Sequence, residues 1–423
     1  MSEMNLTPLL DLCQAKVVDQ YAIPAIKMVN IIIMPDERYN PICSKCRIVC
    51  KSIHSYTDRN IRDMNVFDFK TIITCCYRKL RCPNCGIKVE DIGLSAPGLR
   101  VTKRFSEYIA FLCRFMTISD VAKHTALDWK TVKEIHKRYL LQKFANEDLG
   151  NPKIIVVDEI AIHKGHSYLT VIIDWDTKKV LWMGKDRKEE TLKRFFDHLT
   201  LEQKKGIKAV AMDMWRPFIN ATKMNLPNAD IVFDQFHVIK TFSKIIDKVR
   251  VAEYTAASKE EKSVMQGSRY ILLKNQENLS KSEKVKLEKI SAMNINITNI
   301  MILKDLLKKI WNYKNPARAR KFIDYWCDLA QESGIKYLNS FIRMLRKHEY
   351  GMISHCTHPV HTSIIEGFNN KIKVIKRKAY GFNDLEYFIL LIKEAFLATK
   401  LEKNQILISG MQAACLRAAN RGV

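Results

Sequence analysis

The sequence predicts a mixed α/β protein with two small modules ahead of its main domain, and three observations carry that prediction. Between residues 151 and 237, buried-strand runs alternate with amphipathic helical runs. The hundred or so residues that follow have helical spacing throughout and are too long for a loop. Near the start, eight of the 12 cysteines fall within the first 85 residues, and two pairs have the spacing of metal ligands.

Charge narrows the class of partner. Seventy Lys and Arg against 45 Asp and Glu leave a net charge of +25, costly to hold on a compact surface without a polyanion, so nucleic acid is the expected partner. An anionic membrane fits less well, because the basic residues are spread along the chain and do not flank an apolar segment. The longest apolar run, Tyr387 to Leu397, is broken by Lys393 and Glu394, and the start lacks the pattern of a signal peptide. We therefore expect a cytoplasmic, nucleoid-associated protein with no membrane partner.

Residues 1–40 offer only a short apolar run, Val29 to Met34, stopped by Pro35, and no role is assigned to them. Residues 41–100 form the cysteine-rich module, with strand-like alternation at Thr71 to Leu80. Residues 101–150 change to helical spacing, with Tyr108, Phe111, Leu112 and Phe115 on one face, then Val121, Ala122 and Trp129, then Val132, Ile135 and Tyr139. Breaks at Thr117 to Asp120 and Leu127 to Lys130 divide this stretch into three helices, the rhythm of a helix-turn-helix domain. In that reading Trp129, Lys130, Thr131, Lys133 and Lys137 line the helix that enters a major groove; a purely structural three-helix module has similar spacing.

After Gly150 the strands are Ile154 to Val157, Tyr168 to Trp175 and Lys179 to Met183, then a helix from Glu189 to Leu199, a strand from Ile207 to Met212, a helix from Trp215 to Met224 and a strand from Ala229 to Phe233. Three strands, helix, strand, helix, strand is the order of a ribonuclease H-like core, first part at 151–237. Residues 238–350 read as an all-helical insertion, and 351–423 as the last part of the core with C-terminal helices. Asn383 and Glu386 suggest a capping box opening the final apolar helix.

Cys43 and Cys46 are answered by Cys82 and Cys85, with Gly86 permitting the tight turn that points two thiolates at one ion. Four thiolates favour a closed, structural zinc site, the signature of a zinc ribbon. Cys50, His54, Cys75 and Cys76 are left as spares, core or incidental residues, since the two pairs complete a site. The bland alternative is two unrelated pairs of buried thiols.

The carboxylates carry the chemistry. Asp158 ends the run Ile154 to Val157, and Asp213 ends Ala209 to Met212; in the strand order above these are neighbours, so both side chains meet in one cleft. Two adjacent carboxylates repel and invite a divalent cation. With a third acid they suit two metal ions about 4 Å apart, the arrangement for in-line phosphoryl transfer. Singly, each Asp is more simply a strand-end solubiliser or a helix cap. Asp234 is either an auxiliary ligand or the cap of the helix beginning near His237, and the cap is preferred. Glu366 is the best third acid, because Lys371, Lys373, Lys376, Arg377 and Lys378 follow on helical spacing, placing metal and phosphate contacts on one element.

Three long motifs then carry a resemblance: VVDEIAIHKGHSYLTVI from Val156, AMDMWRPFINATKMNLPNADIVFDQFHVIK from Ala211 and EGFNNKIKVIKRKAYGF from Glu366. The chain resembles the ISL-three family of bacterial insertion-sequence transposases, of the DDE class, over about Pro41 to Phe396. The resemblance implies that Asp158, Asp213 and Glu366 form a catalytic triad using two Mg2+ (or Mn2+) ions, that terminal inverted repeats and target DNA are the substrates, and that the protein works as a homo-oligomer, a dimer, on DNA ends. Two places depart from the family pattern: His361, Thr362 and Ser363 stand where a Ser-Asn-Gly-like run is usual, and Ser44 and Arg47 replace the usual Pro and Gly of the first zinc pair. A catalytically impaired DNA-binding protein acting as a repressor, and a junction nuclease of the same fold, are the alternatives.

Overall fold

The computed structural model describes residue 10 and residues 14–163, 167–360, 363–378 and 383–397. The chain divides into two compact units, Met1–Asn146 and Glu147–Val423.

The first unit is a sheet followed by three helices. Strands β1 (Ala15–Ile23), β2 (Met28–Pro35), β3 (Ile53–Val66) and β4 (Phe69–Cys82) lie in the order β1-β2-β4-β3, and β5 (Gly86–Val89) pairs with the end of β4. The β2–β4 pairing is parallel, so the segment before residue 41 is built into the same sheet as the cysteine-rich one. Alternate residues of β2 and β4 supply its core, with Ile31, Ile33, Ile73, Cys75 and Tyr77 all buried. Cys75 is one of these core residues, and burial pushes its thiol up to about 12, so it packs as a protonated apolar group.

Helices α1 (Lys103–Cys113), α2 (Ile118–Thr125) and α3 (Trp129–Lys143) begin at side-chain caps from Thr102, Thr117 and Asp128. The buried Asp63 on β3 accepts hydrogen bonds from the Thr102 hydroxyl at 2.6 Å and from Arg104 Nε at 2.9 Å, which fixes the start of α1 against the sheet. The expected inner face of α1 needs correction. Phe105, Ile109 and Cys113 are buried, whereas Phe111 and Phe115 are exposed and pack edge-on against each other, centroids 5.2 Å apart. Both faces of α1 are apolar, so periodicity alone does not choose between them; the packing of Val121, Val132 and Ile135 does.

Between α2 and α3 the exposed Ala126 adopts φ +53°, the left-handed region that favours glycine. Ala126→Gly is expected to raise the stability of this unit by about 0.5–1 kcal/mol, the relief of left-handed strain less the extra chain entropy of glycine. Urea unfolding of the full chain, followed by Trp129 fluorescence, checks it; a fall in midpoint would contradict the strain argument.

The second unit is built on a five-stranded sheet of order β10-β9-β6-β7-β8. Strands β6 (Ile154–His163), β7 (Ser167–Asp174) and β8 (Val180–Lys185) form an antiparallel meander. Helices α4 (Glu189–Asp197) and α5 (Leu201–Gly206) lead to β9 (Ala209–Met212), and α6 (Arg216–Asn225) leads to β10 (Asp230–Phe233), each strand parallel to its neighbour. Apolar side chains point to both faces, as expected for strands covered on two sides. Ile155, Val157, Val210 and Met212 face Phe195, Phe196 and Phe218 of α4 and α6.

After β10 the chain is helical through α7 (Gln235–Ala256), α8 (Lys259–Met265), α9 (Arg269–Leu273), α10 (Lys281–Met293), α11 (Ile295–Lys309), α12 (Pro316–Glu332) and α13 (Asn339–Ile353). This segment has its own core around Phe242, Trp326 and Phe341. It is anchored to the sheet where α13 crosses β10: a Cβ on Gly351 would lie 2.3 Å from the Phe233 ring, so only glycine permits the approach. The chain then returns as α14 (Ser363–Lys378) and α15 (Leu385–Ala395), whose Phe368, Ile372, Phe388 and Ile392 cover the other face of the sheet against Val156, Ile160, Ala211 and Val232. The cap of α15 is Asp384, which accepts from the Tyr387 amide at 3.1 Å, one residue later than the expected Asn383 pairing. Asn and Asp cap equally well, and the helix start is set by where Phe388 and Ile392 meet the sheet. No described helix is long and apolar enough to cross a membrane.

Candidate active site and metal centre

Strand parity gathers the acids. On β6, Val156 and Ile160 face α14, so Asp158 between them faces it too; on β9, Ala209 and Ala211 share that face, and the next residue of the same parity is Asp213. The registers align them: Ile154 pairs with Ala209 and Asp230 with Ala209, so one count up each strand brings Asp158, Asp213 and Asp234 to the same level.

Asp158 does not end its strand as the sequence suggested. β6 runs on to His163 because β7 keeps pairing with it, with Asp158 opposite Val171, and it is β9 that stops, at Met212, leaving the flank of Asp158 uncovered.

The cluster is partly buried and short of positive charge. Burial raises the Asp158 carboxyl above its ordinary range, against the pull of a hydrogen bond donated by Asn369 Nδ2 at 2.7 Å. Burial also raises Asp213, and the neighbouring Asp234 adds to the rise. Asp234 caps α7 through the Phe236 amide, as expected, and also holds His237: Nδ1 lies 2.9 Å from Asp234, and Nε2 lies 3.8 Å from Asp213. Burial opposes charge on His237, yet Asp234, Asp213 and Asp158 outweigh it and raise its pKa. Partly buried carboxylates with this little compensation suit a divalent cation.

Glu366 lies on α14, three residues before Asn369 and so on the same side of the helix as the residue bonded to Asp158. Its side chain is exposed, and among the described residues the three acids do not close to within 4.8 Å of one another. His361 and Thr362 lie outside the described residues. Of the basic residues that follow, Lys373, Arg377 and Lys378 are exposed, while Lys371 donates to the Ala395 carbonyl at the end of α15 and Lys376 to the Ile162 carbonyl.

Sequence reasoning did not reach four residues of this neighbourhood. His237 and Asn369 each stand three residues from an acid already singled out, a helical spacing that offered a signal. Glu159 and Arg187, paired at 3.0 Å beside Asp158 and Asp213, offered none, because residues 28 apart meet only through the sheet.

In the first unit the four cysteines do close. One sulfur each from Cys43, Cys46, Cys82 and Cys85 lies within 4.8 Å of every other, and Cys46 and Cys82 are 3.4 Å apart. A zinc ion with bonds of about 2.3 Å to four sulfurs separates them by about 3.8 Å, so the residues fit that ion. The two cysteine turns are equivalent: Gly86 and Arg47, each just after the second cysteine of its pair, have φ of +69° and +63°. Arg47 thus takes the left-handed position that Gly86 takes in the second pair, and its guanidinium pairs with Asp91. Cys50 borders the cluster but directs its thiol to the Ile48 carbonyl at 3.6 Å, and His54 bonds Ser55.

On α3, Val132, Ile135, His136 and Leu140 are buried; Lys130 is exposed over the Trp129 ring, and Lys133 and Lys137, three and seven residues on, are half-buried.

Comparison with known proteins defines the class first. Residues 155–392, the sheet of the second unit with its helical insertion and α14, match a family model described as transposase, and residues 90–140 match the helix-turn-helix domain of transposase family ISL3. Similar whole proteins agree: the chain is 36% identical over 359 residues to the transposase for insertion sequence element IS1001 of Bordetella parapertussis, covering 84% of this chain and 88% of that one. It is 24% identical over 337 residues to the transposase for insertion sequence element IS1557 of Mycobacterium tuberculosis, covering 74% and 76%. The chain is an insertion-sequence transposase and belongs to the ISL3 family, the ISL-three family indicated by its motifs. Such a protein acts on DNA by cleavage and transfer, and its family uses divalent metal.

Proposed function

We propose that this transposase binds the terminal inverted repeats of its element and cuts and joins DNA at Asp158, Asp213 and Glu366, in a ribonuclease H-like core. The observation that carries the reading is the shared level of Asp158 and Asp213 on neighbouring parallel strands, under the helix that bears Glu366 and bonds Asp158 through Asn369. The sheet order supports the ribonuclease H-like assignment: an antiparallel meander whose first strand carries two parallel strands on its far side.

Two Mg2+ or Mn2+ ions held by these acids would activate the attacking oxygen and stabilise the leaving oxygen of an in-line phosphoryl transfer. Asp158 and Asp213 face the cleft from rigid strands; Asn369 fixes one oxygen of Asp158, and Asp234 fixes the ring of His237 so that it faces Asp213. Lys373, Arg377 and Lys378, with Lys371 and Lys376 on the same helix, neutralise phosphates near the acids, and Lys130, Lys133 and Lys137 approach the duplex from the helix-turn-helix. Cys43, Cys46, Cys82 and Cys85 hold a structural zinc. The working form is a homodimer on paired DNA ends, at the nucleoid in the cytoplasm.

The test is nicking of a duplex that carries the inverted repeats flanking the gene. With magnesium the protein is expected to nick at the element end, and Glu366→Gln to lower the rate by about 100-fold or more while retaining binding. Full-rate nicking by Glu366→Gln removes that residue from the site; binding without nicking by the wild-type protein favours the repressor reading.

A further inference from the structure

A cleft of about 450 Å³ opens beside the acids, within the second unit. Its walls are the rings of Tyr168 and Trp215 and the guanidinium of Arg187, which lies 4.3 Å from the first ring centroid and 4.6 Å from the second. Asp186, Lys188, Glu189, Glu190 and Pro217 complete its lining. The volume lies in the range of about 300–1,000 Å³ that small ligands occupy.

The walls are held in place. Trp215 donates its indole N–H to the Arg187 carbonyl at 3.0 Å, and Arg187 is paired with Glu159 at 3.0 Å. Trp215 nevertheless stays 36% exposed, an aromatic face kept in solvent by a fixed hydrogen bond.

We propose that this cleft receives one unstacked nucleobase of the DNA end, from a nucleotide next to the cleaved phosphodiester. The inference rests on the reading of Asp158 and Asp213 as the reacting site. Glu159 adjoins Asp158, and Trp215 is two residues past Asp213, so a group in the cleft is tied to whatever the acids hold. Arg187 already covers one face of each ring, so the stacking surface open to a base is the exposed side of Trp215. Glu189 and Glu190 repel phosphate but accept hydrogen bonds from an exocyclic amine, and Lys188 meets the backbone at the rim. Drawing one base out of the stack is costly for the duplex, and the cleft offsets that cost while swinging the phosphodiester toward the acids.

The test uses the full chain and a duplex of the element end. Trp215→Ala is expected to cleave the intact duplex about tenfold or more slowly, in line with the loss of one stacked base, with Trp215→Phe close to wild type. Removing the base from one nucleotide beside the cleavage point should restore the Trp215→Ala rate to within about threefold of wild type, since nothing then has to be extracted from the stack. Cleavage by Trp215→Ala at the wild-type rate, or a loss that no abasic position rescues, overturns the proposal.

Should the wild-type protein cleave no duplex, the reading of the acids fails, and the cleft is judged separately by binding. 2-Aminopurine placed at each position around the element end should then change fluorescence at one position only, in a way that Trp215→Ala abolishes; no Trp215-dependent change overturns it.

Discussion

Replacing Asp213 with Asn is expected to lower DNA cleavage about 1,000-fold, or about 4 kcal/mol of transition-state stabilisation, with end binding retained. The carboxylate sits level with Asp158 at the point where β9 stops, and Asn keeps its size while removing the charge that is proposed to hold metal. Stability is expected to move the other way. Burial raises the Asp213 carboxyl, so the folded chain holds a proton there more readily than the unfolded chain. Ionisation at neutral pH therefore costs stability, and that stability returns as pH falls through the raised value. Asn carries no such cost, so the metal-free variant should melt higher than wild type, while added magnesium should raise the melting temperature of wild type more than that of the variant. Melting curves with and without magnesium, beside cleavage rates, check both halves. A variant that melts lower, or cleaves at the wild-type rate, contradicts the assignment.

Cys82→Ser is expected to release the zinc and weaken binding to the element end by about tenfold or more, with the second unit's melting unchanged. Structural zinc contributes on the order of 10 kcal/mol to small modules that fold around it. Dependence on the ion should be strong here because little else is present: the local core consists of Cys43, Cys50, Leu80 and Cys82, with Cys46 and Cys85 against it, so one leucine is its only hydrocarbon side chain. The main sheet has a separate core around Ile31, Ile33 and Ile73 and should survive. Proteolysis at Lys45 and Arg47 after chelation, with metal analysis, would show the loop released. Unchanged proteolysis and unchanged end binding would mean that the cysteines are merely packed thiols.

Local spacing was enough for the parts of this protein whose physics is local. A cysteine pair two residues apart can serve one ion wherever it lies, an apolar β-branched run is a buried strand in most contexts, and Thr117 and Asp128 cap helices through amides two or three residues away. The four-thiol site, the three helices before residue 150 and the alternating strands and helices after it were legible for that reason. The neighbouring placement of Asp158 and Asp213 was legible too, from acids that follow apolar runs.

Tertiary structure alone decided what lies across space from each element. Periodicity reports that a helix has an apolar face but not which partner covers it, so Phe111 and Phe115 stand exposed while Phe105 is buried. It places Lys371 and Lys376 on a basic helix, but only folding shows their ammonium groups donating to the Ala395 and Ile162 carbonyls. The sequence marks Asp158 as a strand end, and the pairing of β6 with β7 carries the strand five residues further. The meeting of Arg187 with Glu159 and Trp215, and of Asn369 with Asp158, depends on sheet register and on which face α14 covers. Both are set by the summed burial of residues hundreds of positions apart, a quantity that no short window of sequence contains.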